Sequence, residues 1–501
     1  MKSIFIILIL LSLTFNLFAC QKVEPTKLDL AIWHWNSQIT FKPNDLAELQ
    51  KLGINRIYLH AGQFHYTNAN ISIINIIDKW QAIPNFKIGL VFNFTPEMIR
   101  AFATLSNQEL AEKIPLAIKE TISKAEQAQL NITDIQCDFD VPTSQLSRYK
   151  TLLREIKNII GNKQLSITSL VDWLDKADYE KLLEVVDLHF PQLYGLNIPR
   201  NPDKLKPITS PELVKTELKK LATSTKPYYV GLATYGYALV FDKEGKLFSI
   251  RTDLSLEELS LITELKLEET RFADKSGFAA LSNNDYSGEN FYIFTAQTNI
   301  PLGKNVLGEG ETLVFDKLTS TSLAKTIEIV KKEASGKIKG ICLFRYPQAN
   351  ESMVLSMPEL KATLENQILT PEIELDYQLK PSKELVDVEI SLTNKSSAES
   401  LYQNEAVELF INLTDSQILN IETLDFSFNE TFFGETPASL RLANKIKFNH
   451  SYIARQQKLT ANLKLAVKNN LSTISISAKV KPAFMFQTPI FVEKVGIKLK
   501  N

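Results

Sequence analysis

Residues 133–142 read TDIQCDFDVP, and polar and apolar side chains alternate along this stretch. The polar positions are Asp134, Gln136, Asp138 and Asp140. Because successive side chains of a strand point to opposite sides, the alternation predicts a β-strand with one apolar and one acidic face. Three carboxylates and an amide in one row are costly to bury without partners or water. The acidic face therefore predicts that this strand lines a polar pocket.

This strand is one of eight short apolar runs that alternate with helical patterns. The eight runs lie at residues 31–36, 56–64, 87–94, 135–140, 165–174, 186–195, 227–236 and 337–347. Strands that alternate with helices form a parallel sheet, and eight such units predict an α/β fold of the (β/α)8, or TIM, barrel type. The alternative is an open doubly wound sheet. It predicts a glycine-rich phosphate-binding turn after the first strand, and the sequence has none there.

Helical patterns follow most of the apolar runs. They lie at residues 45–53, 72–80, 145–161, 178–186, 211–223 and 322–335, and a longer helical region follows the third run as far as about Leu130. Gly161 ends one of these segments, and glycine suits a helix stop. The regular order of strand and helix is the basis of the barrel prediction.

Two regions break the alternation. Residues 243–320 hold turn-rich, strand-like pieces after the seventh run, and we predict that this insertion forms one wall of a cleft. After Pro371 helical periodicity disappears, and short strands with polar turns predict a β-sandwich at residues 371–501. The predicted domains are therefore a barrel at residues 28–368, which carries the insertion, and a C-terminal sandwich to which no role is assigned.

The N-terminal segment has the features of a signal peptide at residues 1–19, followed by a linker at residues 20–27. Lys2 precedes an apolar run that is too short for a transmembrane helix, which needs about 20 apolar residues. The run ends in LFAC, which resembles the lipobox of bacterial lipoproteins and implies that Cys20 is lipidated. Gln21 follows, and by the bacterial sorting pattern this implies the outer membrane. We expect a lipid-anchored protein of the cell envelope, with a cleaved signal or an uncleaved anchor as alternatives.

Composition and motifs exclude several classes of function. The formal net charge is -1, so no overall basic field points to nucleic acid. The sequence shows no zinc-type cysteine pair, no phosphate-cradling glycine motif and no Gly-x-Ser-x-Gly elbow, and no cofactor is expected. Besides Cys20, the chain has Cys137 and Cys342. We expect two buried thiols, and a bridge between them is the alternative.

The acidic strand also predicts the chemistry. Catalytic residues of a (β/α)8 barrel lie at the carboxyl-terminal ends of its strands, where Asp138 and Asp140 are expected. Asp134 and Gln136 lie deeper along the same face. One carboxylate discourages its neighbour from ionising, so one of the pair can hold a proton near neutral pH. Glycosidases need such a proton donor. A polar barrel core with a satisfied hydrogen-bond network is the alternative.

TDIQCDFD resembles the fourth-strand signature of chitinase-like glycoside hydrolases, in which alternating aspartates end in a catalytic glutamate. With the final acid aligned on Asp140, Asp138 takes the penultimate aspartate. Gln136 takes an earlier aspartate, and Asp134 takes a glycine. The sequence departs from the signature because its last acid is aspartate, which is one methylene shorter. The resemblance implies that Asp140 is the general acid and that Asp138 tunes its pKa or holds a polar substituent.

Other segments resemble the same barrels. LSITSLVDWL resembles the fifth strand, and PQLYG resembles the sixth, which implies that Tyr194 contacts the substrate with Gln192 on the same face. GLATYG resembles the seventh strand and carries Tyr235, and the insertion follows it as in chitinase-like enzymes. The eighth strand, GICLFRYP, lacks the usual tryptophan.

A second resemblance is to an uncharacterised bacterial family, domain of unknown function 3142. The segments that carry it are IQCDFDVPTSQLSRY, SLVDWL, VDLHFPQLYG and ATYG. The resemblance covers roughly residues 28–350. It implies the fold and no particular activity.

Aromatic residues and histidines complete the candidate site. Trp33 and Trp35 flank His34 in the first predicted strand, and Trp173 ends the fifth. Rings of this kind can stack on sugars, and core packing is the alternative for each. His60 and His65 lie near the mouth of the second strand. Either could join the two aspartates in a metal site, although no spacing requires one.

Three hypotheses follow from these observations. The first is a glycoside hydrolase of an envelope polysaccharide or oligosaccharide, in which Asp140, Asp138 and Tyr194 are catalytic. The second is a non-catalytic glycan-binding protein. The third is a metal-assisted hydrolase, such as a deacetylase, that uses both aspartates and a histidine. The residues expected to bind the substrate are Gln136, Gln192, Tyr235, Trp173 and Trp33.

Overall fold

The computed structural model describes residues 28–42, 44–195, 198–274, 286–348, 351–484 and 487–499. The predicted signal peptide, the linker and Cys20 lie outside the described residues. Within the part of the chain that is described, no helix is both long enough and apolar enough to cross a membrane.

Strands and helices alternate from residue 29 to residue 233. The strands are β1 (Asp29–His34), β2 (Ile54–Thr67), β3 (Asn70–Ile74), β4 (Lys87–Phe94), β5 (Ile132–Asp138), β6 (Gln164–Ser169), β7 (Leu188–Pro191) and β8 (Tyr228–Ala233). The helices are α1 (Asp45–Lys51), α2 (Pro96–Phe102), α3 (Asn107–Gln127), α4 (Leu146–Ile159), α5 (Ala177–Leu183) and α6 (Pro211–Leu221). Apart from β3, consecutive strands of this series pair in parallel.

The predicted helix at residues 72–80 is wrong, because the chain there turns back as strand β3. Asn68 and Ala69 both have positive φ, which suits a tight turn, and β3 pairs antiparallel with the end of β2. Asn70 and Ser72 alternate with Ile71 and Ile73, and Ile74 follows, so the local pattern fits a strand as well as a helix. The helical region predicted as far as Leu130 is two helices, α2 and α3.

The insertion after β8 is mainly an antiparallel sheet. Its elements are β9 (Tyr237–Phe241), β10 (Leu247–Arg251), α7 (Leu256–Ser260), β11 (Leu265–Asp274), β12 (Tyr286–Ala296), β13 (Ile300–Leu302), β14 (Asn305–Leu307) and β15 (Thr312–Lys317). The main sheet has the order β10-β9-β15-β12-β11. It begins at Tyr237, before the boundary predicted at residue 243.

The chain then returns to the barrel and closes it. It does so through α8 (Ser320–Glu333), β16 (Ile338–Phe344) and α9 (Met357–Leu364). Strand β16 pairs in parallel with both β8 and β1, and β1 pairs in parallel with β2. The eight parallel strands therefore form a closed ring. This confirms the predicted (β/α)8 barrel, and the open doubly wound sheet is wrong.

Residues after the barrel form two packed antiparallel sheets. Their strands are β17 (Ile373–Ser382), β18 (Leu385–Asn394), β19 (Val407–Thr414), β20 (Ser416–Glu422), β21 (Phe428–Phe433), β22 (Thr436–Pro437), β23 (Lys445–His450), β24 (Lys458–Val467), β25 (Thr473–Val480) and β26 (Ile490–Lys498). The sheet orders are β17-β18-β24-β20 and β22-β21-β23-β19-β25-β26. Aliphatic side chains from both sheets share one core, which confirms the β-sandwich.

The sandwich packs directly on the insertion. The Tyr402 ring of the sandwich contacts Tyr292 and Phe294 of β12, with ring centroids 5.6 and 5.1 Å apart. Thr270 of β11 also donates a hydrogen bond to the Tyr402 carbonyl oxygen over 2.7 Å. Because apolar residues of the insertion and the sandwich share a buried cluster, the two are not joined by a linker alone.

Candidate active site

A pocket lies at the carboxyl-terminal ends of the barrel strands. Its volume is about 260 Å³, close to the lower end of the ~300–1,000 Å³ range of small-molecule sites. The residues that line it are Trp33, Trp35, Asn93, Asp138, Asp140, Thr168, Gln192, Tyr194, Tyr235 and Phe344. This is the end of the barrel at which enzymes of this fold hold their catalytic groups.

A larger groove, of about 670 Å³, lies between the insertion, the segment after β16 and the sandwich. Three of its charged lining residues, Asp253, Glu351 and Arg455, are held in ion pairs with Arg251, Arg345 and Glu359. Its other charged lining residues are Lys42, Glu257 and Glu258, so the groove carries charges of both signs. We therefore place the candidate site at the smaller pocket, where two acids lie together without a cationic partner among the described lining residues.

The acidic face of β5 points into the barrel. Asp134, Gln136 and Asp138 are at least nine-tenths buried on this face. On the opposite face, Phe139 packs outward, and its ring stacks on Phe94 at a centroid distance of 3.7 Å. The apolar residues of TDIQCDFDVP thus pack in the outer core. Because alternate side chains point to the opposite face, the polar residues point into the barrel interior.

Asp138 forms the floor of the pocket. Its Oδ1 atom accepts hydrogen bonds from the Thr168 hydroxyl and from Gln192 Nε2, the latter over 3.1 Å. Burial, and then the neighbouring charge of Asp140, raise the pKa of Asp138 to about 8, while the two hydrogen bonds oppose this rise. Asp138 is therefore the group of the pair that retains a proton near neutral pH.

Asp140 lies just beyond the end of β5, at the mouth of the pocket. Its φ angle is 31°, a left-handed conformation that aspartate and asparagine adopt more readily than most residues. The residue is exposed to solvent, yet the protein groups around it remove enough water to raise its pKa. Asp140 thus combines access to a ligand with a raised affinity for a proton.

Aromatic rings form the walls of the pocket. Phe344, at the end of β16, lies at their centre, and its ring centroid is 5.9 Å from Trp33 and 5.2 Å from Trp35. It also stacks on Tyr194 at 5.7 Å and meets Tyr235 edge-on at 5.8 Å. The eighth barrel strand thus contributes a phenylalanine ring to the pocket wall, although it lacks the tryptophan of chitinase-like strands.

Tyr194 keeps its phenolic proton. Burial, with Tyr235 and Asp138 as further causes, raises the pKa of Tyr194 well above its usual value. The side chain is half-buried at the pocket wall. It can therefore donate a hydrogen bond to a bound molecule over the whole neutral range.

Two of the predicted substrate-binding residues do not reach the pocket. Gln136 is fully buried below the floor, where it accepts a 2.7 Å hydrogen bond from Trp33 Nε1. It therefore orients a wall residue rather than a ligand. Trp173 is 1% exposed and lies outside the barrel strands, between the rings of Tyr149 and Tyr179. β6 ends at Ser169 and a short 3-10 helix follows, which turns Trp173 into the outer core.

The structure brings together the other predicted residues, namely Asp138, Asp140, Tyr194, Gln192, Tyr235 and Trp33. It also adds lining residues that the sequence predictions missed, namely Asn93, Thr168 and Phe344. The three missed residues share one feature of position. Each residue lies on the inward-facing side at one of the last two positions of a barrel strand, so a search of those two positions in every strand would have found them.

The histidines have other contacts. His60 Nε2 lies 3.0 Å from Asn93 Oδ1, and His65 Nδ1 lies 3.1 Å from Thr95 Oγ1. Among the residues with a described position, no three His, Cys, Asp or Glu side chains form a cluster that could hold a metal. Cys137 and Cys342 are free, buried thiols, so the bridge considered as an alternative does not form in this structure.

The middle of the chain matches a known family. Residues 98–274 match the family described as Domain of unknown function (DUF3142). The match includes the acidic strand, Tyr194 and Tyr235, and it confirms the predicted resemblance over those residues. None of the curated proteins matches this chain in sequence.

Several solved structures are similar to this chain. The spore cortex-lytic enzyme SleL of Bacillus cereus is 13% identical, with 68% of this chain and 74% of that chain covered and a TM-score of 0.43. A family GH18 chitinase of Chromobacterium violaceum is 8% identical, with coverages of 93% and 91% and a TM-score of 0.40. The GH18 chitinase ChiB of Flavobacterium johnsoniae is 13% identical, with coverages of 68% and 94% and a TM-score of 0.37. These similarities concern the fold, and our assignment of the barrel rests on its strand order.

Proposed function

We propose that this protein is a glycoside hydrolase that cleaves a polysaccharide or oligosaccharide at the pocket above β5. One observation carries the proposal. Asp138, with a pKa of about 8, lies below the solvent-facing Asp140 in a pocket walled by aromatic rings. A protonated carboxyl group near neutral pH is what cleavage of a glycosidic bond requires, and aromatic faces suit the apolar faces of sugars.

Asp140 is the proton donor in this proposal, because it is the acid at the mouth. The pair holds one proton at neutral pH and titrates as a unit. When a sugar covers Asp140 and removes its remaining water, the proton moves from Asp138 to Asp140. The hydrogen bonds from Thr168 and Gln192 assist this transfer, because they stabilise the ionised form of Asp138.

Bond cleavage then follows. The glycosidic oxygen takes the proton of Asp140 as its bond to the anomeric carbon breaks, and positive charge develops on the sugar ring. Ionised Asp138 stabilises this charge, while the Tyr194 hydroxyl donates to a sugar oxygen. A water molecule attacks the anomeric carbon and gives its proton to the ionised pair, which restores the shared proton; where a polar substituent held by Asp138 attacks first, the water then displaces it from the anomeric carbon in the same way. If that substituent is an N-acetyl group, the substrate contains N-acetylhexosamine.

The decisive experiment is the release of reducing ends from a panel of envelope polysaccharides, which includes peptidoglycan and chitin oligomers. We expect the wild-type protein to release reducing ends from at least one glycan and the Asp140→Asn variant to release none. Asparagine keeps the shape of the side chain and tolerates the left-handed backbone. A folded variant that is as active as the wild type would exclude Asp140 as the acid.

A second candidate function is non-catalytic glycan binding. The observation that favours it is the short side chain of Asp140, which sits exposed at the mouth rather than in the pocket floor. In that case no glycan of the panel is cleaved, and the affinity for a bound glycan is the same in the wild type and in Asp140→Asn. Isothermal titration with the same glycans measures this affinity.

We also propose that the protein is anchored in the bacterial outer membrane through a lipid on Cys20. The proposal rests on the LFAC sequence and on Gln21. Wild-type protein expressed in a bacterial host is expected to incorporate labelled palmitate and to fractionate with the outer membrane. Cys20→Ala is expected to lose the label. Labelled Cys20→Ala protein would contradict the proposal, and Cys137→Ala serves as the matched control because that thiol is buried.

A further inference from the structure

The Asn93 amide is held in one orientation at the pocket wall. Asn93 lies at the end of β4 and is paired in register with Asp138 of β5, beside the acidic pair. Its Oδ1 atom lies 3.0 Å from His60 Nε2. Because an amide oxygen accepts and does not donate, the histidine nitrogen must carry the hydrogen. The Nδ2 group of Asn93 is thereby left to donate into the pocket.

His60 is itself fixed in place. It is 6% exposed, and the Trp35 ring covers it at a centroid distance of 4.6 Å. Burial lowers the pKa of His60, although its bond to Asn93 opposes the shift, so the ring is neutral near pH 7. A bulge between His60 and Gly62 shifts the register of β2 against β4 at this point. Bulges of this kind re-aim side chains next to functional sites.

The charges of the pocket restrict which substrate groups can bind beside the Asn93 amide. The described lining residues include two acids and no lysine or arginine. A carboxylate or sulfate on the bound sugar would lie near Asp140 without a cation to balance it, and like charges at short range repel each other. A neutral amide donor beside two acids therefore suits a neutral acceptor oxygen.

We infer that Asn93 Nδ2 donates a hydrogen bond to a hydroxyl or carbonyl oxygen of an uncharged sugar unit, and that His60 positions the amide for this purpose. The inference rests on the proposed function and identifies the Asn93 amide as a group that binds the substrate beside the acids. Asn93 is a substrate-binding residue, whereas His60 acts through Asn93 and is a positioning residue.

The charge preference is tested first by isothermal titration of the wild-type protein, which keeps both acids, with sulfur-linked tetramers that resist hydrolysis. The probes are the neutral tetramers of N-acetylglucosamine, glucose and mannose, and the acidic tetramer of galacturonic acid. We expect at least one neutral tetramer to bind and the acidic tetramer to bind at least tenfold more weakly. Equal or tighter binding of the acidic tetramer overturns the inference. The absence of binding by every tetramer overturns the proposed function and the inference with it.

The roles of the two residues are tested with the bound neutral tetramer in the same background. Asn93→Ala is expected to weaken binding about 3- to 10-fold, as the loss of one hydrogen bond does. His60→Ala is expected to weaken it by a similar factor, and His60→Gln by less, because a glutamine amide can also donate to Asn93 Oδ1.

The double variant separates positioning from a general structural effect. If His60 acts through Asn93, the protein with both His60→Ala and Asn93→Ala binds no more weakly than Asn93→Ala alone. His65→Ala is the matched control, because His65 contacts Thr95 and does not line the pocket. Unchanged affinity in Asn93→Ala overturns the inference and leaves the proposed function intact. Fully additive losses in the double variant overturn the positioning role of His60.

Discussion

Replacement of Asp138 by asparagine is expected to lower turnover by about 10²–10⁴-fold, the usual contribution of acid–base catalysis. The reason is the proton that Asp138 supplies to Asp140. Asparagine resembles protonated Asp138 in shape, and its oxygen can still accept from Thr168 and Gln192. It cannot ionise, so the proton cannot pass to Asp140 and no negative charge develops below the sugar. Initial rates of reducing-end release measure the effect.

The same substitution is expected to stabilise the protein in mildly alkaline solution. Asp138 has a pKa of about 8 in the folded chain, against an ordinary value of 3.8. Because the folded pKa is raised, the contribution of Asp138 to stability is complete below about pH 4 and is lost as the pH rises toward 8. Asparagine removes this loss. The free energy of unfolding of the variant should therefore exceed that of the wild type at pH 8, with a gain that shrinks toward pH 4.

Denaturant unfolding at pH 4, 6 and 8 tests this second effect, and Asp178→Asn is the matched control. Asp178 is half exposed on α5 and pairs with Lys181, so its replacement should change neither turnover nor the pH dependence of stability. If Asp138→Asn loses both turnover and stability at pH 8, Asp138 stabilises the barrel and its role is not to carry a proton.

The barrel could be predicted from the sequence because its evidence is local. Each strand needs apolar residues on its outer face, as Phe139 illustrates, and the order of strands and helices is visible along the chain. Asp138 and Asp140 were predicted on the same grounds. Trp173 does not reach the pocket because β6 ends at Ser169, whereas the fifth predicted run extends to residue 174. Residue 173 is also an even number of positions after Ile167, whose side chain faces outward, so even a continuous strand would place Trp173 in the outer core.

Other features depend on contacts between distant segments and could not be predicted. The Asn93–His60 pair joins two strands beside the bulge in β2, which no local pattern signals. The strand β3 was missed because NISII fits two periodicities. The contact between sandwich and insertion joins residues more than 100 positions apart, such as Thr270 and Tyr402. Packing of this kind is decided by tertiary structure and not by the pattern of either segment.

A buried network of charges joins the sandwich to the rest of the molecule. Glu399 of the sandwich pairs with Lys317, the last residue of β15, over 3.3 Å, and accepts a 2.6 Å hydrogen bond from Tyr452. Arg455 of the sandwich pairs with Glu359 of α9 over 2.7 Å. The side chains of the first pair are only 8% and 10% exposed. The sandwich is therefore bound by charge to both the insertion and the barrel.

Replacement of Glu399 by glutamine is expected to lower the free energy of unfolding by about 3–5 kcal/mol, because it leaves the Lys317 charge buried without its partner. Burial opposes ionisation of Glu399, but Lys317, Arg455 and Tyr452 outweigh this and lower its pKa. A lowered folded pKa gives stability that is present at neutral pH and is lost in acid. The difference between wild type and variant should therefore shrink as the pH falls below the ordinary value of 4.5.

Two further variants decide whether the buried charge is the cause. Adding Lys317→Met to Glu399→Gln removes the unpaired charge and should restore much of the lost stability. Glu374→Gln is the matched control, because Glu374 pairs with Lys395 at the surface of the same sandwich and its loss should cost less than about 1 kcal/mol. If Glu399→Gln is as mild as Glu374→Gln, the Lys317–Glu399 pair does not hold the sandwich in place. If it is severe and Lys317→Met rescues it, the sandwich is a fixed support of the insertion that follows β8, whose buried residues pack against the pocket residue Tyr235.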